Sequence, residues 1–77
     1  PNPARGPVNV LFELPAQTEV VLAVYDTAGR RVATLADGAL PAGRHSAAWN
    51  AQAAPGLYLL RLESAGNVLT RRVVVQR

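Results

Sequence analysis

An all-β sandwich or small barrel is the fold class that this 77-residue chain predicts, and three observations carry the prediction. Apolar residues recur with a period of two. Turn-forming clusters interrupt the chain at intervals of about 8–12 residues. No apolar stretch is long enough and free enough of proline to make a helix. The nearest candidate, the Ala-rich stretch 51–54, is stopped by Pro55.

The elements follow in order. Residues 1–7 hold three prolines and read as an extended lead-in. The first strand is predicted over 8–14, V-N-V-L-F-E-L. It sets Val8, Val10, Phe12 and Leu14 on one face and Asn9, Leu11 and Glu13 on the other. Pro15, which has no N–H to give to a ladder, ends it. The second run, 19–25, puts Val20, Leu22 and Val24 inward and leaves Tyr25 on the opposite side. Asp26-Thr27-Ala28-Gly29 then reads as a hairpin turn. Asp at the first position accepts a backbone N–H, and Gly at the fourth supplies a positive φ. Residues 30–35 return as the partner strand, with Val32 the clearest inward residue.

Asp37-Gly38 and Leu40-Pro41-Ala42-Gly43 read as further turns. Residues 44–49 follow as a strand, with His45, Ala47 and Trp49 alternating inward. Ala54-Pro55-Gly56-Leu57 carries the type II signature, Pro then Gly at its centre. Residues 57–63 form the next strand, with Tyr58, Leu60 and Leu62 on one face and Leu59 and Arg61 on the other. Ser64-Ala65-Gly66-Asn67 is a hairpin loop, and the last strand is predicted over 68–75. At this length the chain is expected to be one domain, residues 1–77.

Composition excludes several kinds of chemistry. With no Cys, no Met and one His, the usual metal sites and redox pairs cannot be assembled, and no cofactor is expected. Asp26 is explained by its turn. His45 shares a face with Trp49, so it reads as a packed histidine with one hydrogen-bonded nitrogen and no nucleophile to serve. No catalytic role is expected. All eight basic residues are Arg, scattered along the chain, and the net charge is +3. Nucleic-acid binding shows a denser basic stripe with exposed aromatics, so no such partner is expected. No apolar run reaches the roughly 18 residues of a membrane helix, and no basic segment followed by an apolar one opens the sequence.

Two surfaces remain. Sugar binding on a sandwich uses exposed aromatic rings, but Trp49, Tyr58 and Phe12 fall on core faces, leaving Tyr25 alone. A carbohydrate-binding or spacer module of a modular hydrolase stands as the alternative on that residue. The other surface is the terminal strand Arg71-Arg72-Val73-Val74-Val75, β-prone and suited to recognition by a partner, with arginines guarding it from aggregation.

Three stretches are specific in combination. Pro1-Asn2-Pro3-Ala4-Arg5-Gly6 reads P-N-P-x-x-G; residues 24–32 read V-Y-D-x-x-G-R-x-V; and Pro55-Gly56-Leu57-Tyr58 leads through Arg61-Leu62 and Gly66 to the terminal Thr70-Arg71-Arg72-Val73-Val74-Val75. Ala42-Gly43-Arg44-His45 and Trp49-Asn50 add two shorter matches. In order and spacing these resemble the type A C-terminal sorting domain of type IX secretion cargo. That family is related to the immunoglobulin-like domain of the flagellar hook-capping protein.

The resemblance implies an all-β, immunoglobulin-like β-sandwich of about seven short, mainly antiparallel strands. It implies a domain fused behind an N-terminal cargo and read by the type IX translocon at the outer membrane. The cargo would pass through the periplasm to the cell surface or medium, and a sortase-like peptidase would remove the domain. The matching positions are Pro1, Asn2, Pro3 and Gly6 in the opening motif. Tyr25, Asp26, Gly29, Arg30 and Val32 match in the central hairpin. Gly56, Tyr58, Gly66, Arg72, Val73, Val74 and Val75 match at the end. One departure is chemical: Arg71-Arg72 stands where the family usually carries Lys, keeping the charge but offering a planar fork in place of a point charge.

Overall fold

The computed structural model describes residues 7–50 and 54–76, and among them the chain forms six strands and no helix. The family pattern implies about seven strands; six are present among the described residues. They are β1 (Val8–Leu14), β2 (Thr18–Asp26), β3 (Arg31–Leu40), β4 (Gly43–Trp49), β5 (Gly56–Ser64) and β6 (Asn67–Val75). All pairings are antiparallel. β1 and β4 make a two-stranded sheet, and the larger sheet has the order β3-β2-β5-β6. Two of the connections within the larger sheet are short hairpins, β2–β3 and β5–β6.

The core lies between the sheets and follows the period-two pattern. Val8 and Leu14 of β1 are buried at its two ends, with Val10 and Phe12 packed between them. Val20, Leu22 and Val24 of β2 meet Tyr58, Leu60 and Leu62 of β5, and Val73 and Val75 of β6 extend the same layer. Trp49, 6% exposed, closes one end from β4 and meets Tyr58 edge-on at 5.3 Å between centroids. His45 is half-buried and stacks on Phe12 at 5.4 Å, and its Nε2–H donates to the Pro41 carbonyl at 2.8 Å. That is the packed histidine the sequence predicts.

β3 departs from the sequence reading twice. Its register against β2 slips between Leu22 and Ala23 and again between Val24 and Tyr25. Each bulge adds a residue to β3 and shifts the alternation by one. Ala33 and Leu35 therefore pack on the core, while Val32, read as inward, is 43% exposed. Asp37-Gly38 is not a turn; it lies inside β3 opposite Val21 and Val20. Gly38 has a φ of 135°, which keeps the strand running where a side chain would be strained.

The type II turn at residues 54–57 is also corrected. Gly56 has a φ of 151°, far from the roughly +80° that a type II turn needs at that position. Gly56 instead opens β5, opposite Val75. The hairpin at 64–67 forms as read, with Ser64 facing Asn67 across a two-residue loop. Ala65 and Gly66 both have positive φ, 49° and 79°, the pattern of a type I′ turn.

Candidate functional site

The residues of the central hairpin are joined by their own hydrogen bonds. Asp26 N–H donates to the Arg30 carbonyl at 2.9 Å, and Gly29 N–H donates to the Asp26 carbonyl at 3.1 Å. Oδ1 of Asp26 accepts from the backbone N–H groups of Ala28 and Arg30, each at 2.9 Å. Oδ2 accepts from Arg30 Nε at 3.0 Å. A carboxylate accepting so many donors is favoured in its charged form. The Arg30 N–H, foremost, holds the Asp26 carboxyl below its ordinary value; desolvation opposes this, and the Arg30 guanidinium assists. Gly29 has a φ of 83°, so the turn requires a residue free of a Cβ there.

Tyr25 leaves this hairpin on the outer face of the larger sheet. The Arg31 guanidinium donates to the Tyr25 hydroxyl at 3.1 Å and lies 5.7 Å from the ring centroid. The hydroxyl, as acceptor, pushes the Arg31 pKa up. Across the sheet, Arg31 faces Tyr25, Tyr25 faces Leu59, and Leu59 faces Arg72. Opposed residues share a face, so these four form one row across all four strands, apolar in the middle and basic at both ends. The next row is Thr34, Ala23, Arg61 and Thr70. Arg61 pairs with Glu63 at 3.1 Å. Between the rows and the hairpin lies a shallow hollow of about 280 Å³, bounded by Tyr25, Asp26, Gly29, Leu59, Arg61 and Thr70.

The terminal strand is split by its pleat. Val73 and Val75 point into the core, whereas Arg72 and Val74 point outward, Val74 beside Leu57 of β5. Arg71 is exposed on the inner side, opposite Leu60, and lines a cleft with Val10, Leu11 and Phe12 of β1. Tyr58 belongs to the core as well: its hydroxyl donates to the Ala54 carbonyl at 2.6 Å. Gly56 and Gly66 shape backbone at the start of β5 and in the β5–β6 turn. Pro1, Asn2, Pro3 and Gly6 lie outside the described residues.

Apart from Val32, exposed on β3, and Arg71, exposed on the inner side of β6, the predicted positions among the described residues separate into two sets. Asp26, Gly29, Arg30, Gly56, Tyr58, Gly66, Val73 and Val75 build the turns and the core. Tyr25, Arg72 and Val74 are displayed, and the register brings Tyr25 and Arg72 into one row. Arg31, Leu59 and Thr70 join that face without having been singled out. The outward parity of Leu59 was visible in the sequence, but its alignment between Tyr25 and Arg72 depends on register.

Among the described residues no three His, Cys, Asp or Glu side chains gather as a metal site. Among the described residues no helix is long and apolar enough to cross a membrane. A family profile described as "Secretion system C-terminal sorting domain" matches residues 1–76. Comparison with curated proteins and with solved structures gave no significant match.

Proposed function

The chain belongs to the secretion system C-terminal sorting domain family, a type IX secretion signal, and from that premise we propose that it carries an N-terminally fused cargo across the outer membrane to the cell surface or medium. The domain acts by being read and performs no catalysis of its own. The reading surface is the outer face of the larger sheet, where Tyr25, Leu59, Arg72 and Val74 are displayed. The translocon docks on this face as a folded surface, and a sortase-like peptidase acts on the segment that joins domain to cargo. Transit runs through the periplasm.

One observation carries this reading: the family match spans residues 1–76. The distribution of the motif residues supports it, because the core positions secure the fold and leave Arg72 and Tyr25 outward in one row. The carbohydrate-binding alternative has less support. Its single displayed ring, Tyr25, has its hydroxyl and one side engaged by Arg31, and stacking on sugars needs an open ring face.

The test fuses the chain behind a fluorescent reporter in a bacterium with a working type IX system. Removing residues 71–77 would be uninformative, since Val73 and Val75 would leave the core. An outward charge reversal, Arg72→Glu with Tyr25→Ala, is the informative change. Surface reporter should fall to the level of a fusion lacking the chain, while the variant domain still melts cooperatively. Undiminished surface delivery by that variant would remove the outer face from the recognition surface. Equal delivery without the chain would remove the sorting role altogether.

A further inference from the structure

Among the described residues β1 and β4 each leave one edge of the smaller sheet open, and β1 is the more apolar of the two. Among the described residues its sheet neighbour is β4, and no strand pairs with its other side. An open edge is a template for a further strand, and proteins blunt such edges with bulges, charges or proline. β3, at one border of the larger sheet, has two bulges together with Arg31 and Asp37. β6, at the other border, has Arg71 and Arg72. β1 instead runs without a register shift against β4 and holds one charge, Glu13, near its end. At its centre stands Leu11, 80% exposed, the most exposed large apolar side chain among the described residues. Beside it opens a mostly apolar cleft of about 110 Å³, floored by Leu22, Leu60 and Leu62 and walled by Leu69, itself 56% exposed, and by Arg71 of β6.

We propose that this edge is covered by β1 of a second copy of the chain, paired antiparallel about a two-fold axis at Leu11. The argument is self-complementarity. Centred there, Leu11 meets Leu11 of the second copy on the outer face, and Asn9 meets Glu13. On the inner face Val10 meets Phe12 and Val8 meets Leu14. No like charges face each other, and Glu13 keeps its cross-strand partner Arg44 at 3.5 Å. Slipping the pairing by one residue would set core-facing side chains against outward ones. Moving the axis to Val10 sets Leu11 against Asn9, and moving it to Phe12 sets Leu11 against Glu13. Of these three axes, the one at Leu11 alone buries the exposed leucine against an apolar neighbour. Such an isologous contact joins the two small sheets into one of order β4-β1-β1-β4 and closes after two copies. The net charge of +3 on each copy opposes association, so added salt, by screening it, strengthens the dimer.

This inference is independent of the export reading, and its test reads assembly alone. The sequence has no cysteine, so an introduced one reports from a single place. Opposed Cβ atoms in an antiparallel pair lie about 4.5–5.5 Å apart, close to the span of a disulfide. Mild oxidation should convert Leu11→Cys largely to a covalent dimer. Asn9→Cys alone should stay monomeric, while an equal mixture of Asn9→Cys and Glu13→Cys should cross-link. In sedimentation runs over a concentration series the unmodified chain should shift from monomer to dimer. Leu11→Lys should remain monomeric throughout with an unchanged melting temperature, because that side chain is exposed. A chain monomeric at every concentration, a dimer that survives Leu11→Lys, or Asn9→Cys cross-linking as readily as Leu11→Cys would each overturn the proposal.

Discussion

Asp26 concentrates more hydrogen bonds than any other side chain described in the β2–β3 hairpin. Its two oxygens accept from two backbone N–H groups and one guanidinium. Those donors favour the carboxylate in the folded state, so its pKa is depressed below the ordinary 3.8. A depressed pKa stabilises the fold above the unfolded value and loses that contribution as pH falls through the folded one. Stability of the chain should therefore be constant in this respect near neutrality and decline below about pH 3.8. Asp26→Asn, which keeps the size but weakens the acceptor, should be less stable than the parent at neutral pH. The difference should narrow in acid, as chemical denaturation at a series of pH values would reveal. Equal gaps at pH 7 and in strong acid would assign the loss to something other than the ionised carboxylate.

The β5–β6 hairpin shows what an element demands of its residues. Its type I′ loop places Ala65 at a φ of 49°, where a Cβ is crowded; a non-glycine residue there costs about 1 kcal/mol. Ala65→Asn, which creates the Asn-Gly pair favoured in such loops, should stabilise the chain by several tenths to about 1 kcal/mol, read as a rise in melting temperature. The sequence made this hairpin legible because polar and small residues break two alternating runs. Alternation likewise disclosed the inward faces of β1, β2, β4 and β5, since one regular period governs each. β3 was misread for a physical cause: two bulges reset the parity, and nothing in R-V-A-T-L-A-D-G-A-L marks their places. The candidate face was half legible. Tyr25 and Arg72 stood out by their motifs, but their alignment with Leu59 and Arg31 arises from pairing between strands far apart in sequence.

Across the whole molecule, one apolar layer holds the two sheets together. Trp49 from the smaller sheet packs with Val8, Val24, Tyr58, Leu60, Val73 and Val75. Replacing it with Ala should lower stability by roughly 3–5 kcal/mol, the usual range for a buried aromatic. A urea titration would measure the loss, and an unchanged midpoint would show that the sheets do not depend on this contact. No disulfide assists them, as the sequence has no cysteine. A domain of this size buries only about 60–65% of its unfolded surface, so such a loss takes up much of a stability of about 5 kcal/mol.

The composition of that layer also fixes an order in time. Val8 comes from the first strand and Val73 and Val75 from the last, with Trp49 between them. During synthesis the amino-terminal strands emerge first, and the β2–β3 hairpin can form at once. The apolar layer, however, stays open until β6 has been made. A polypeptide interrupted anywhere upstream of that strand never closes it. A partner that bound only the closed layer would thereby pass over chains whose translation stopped early.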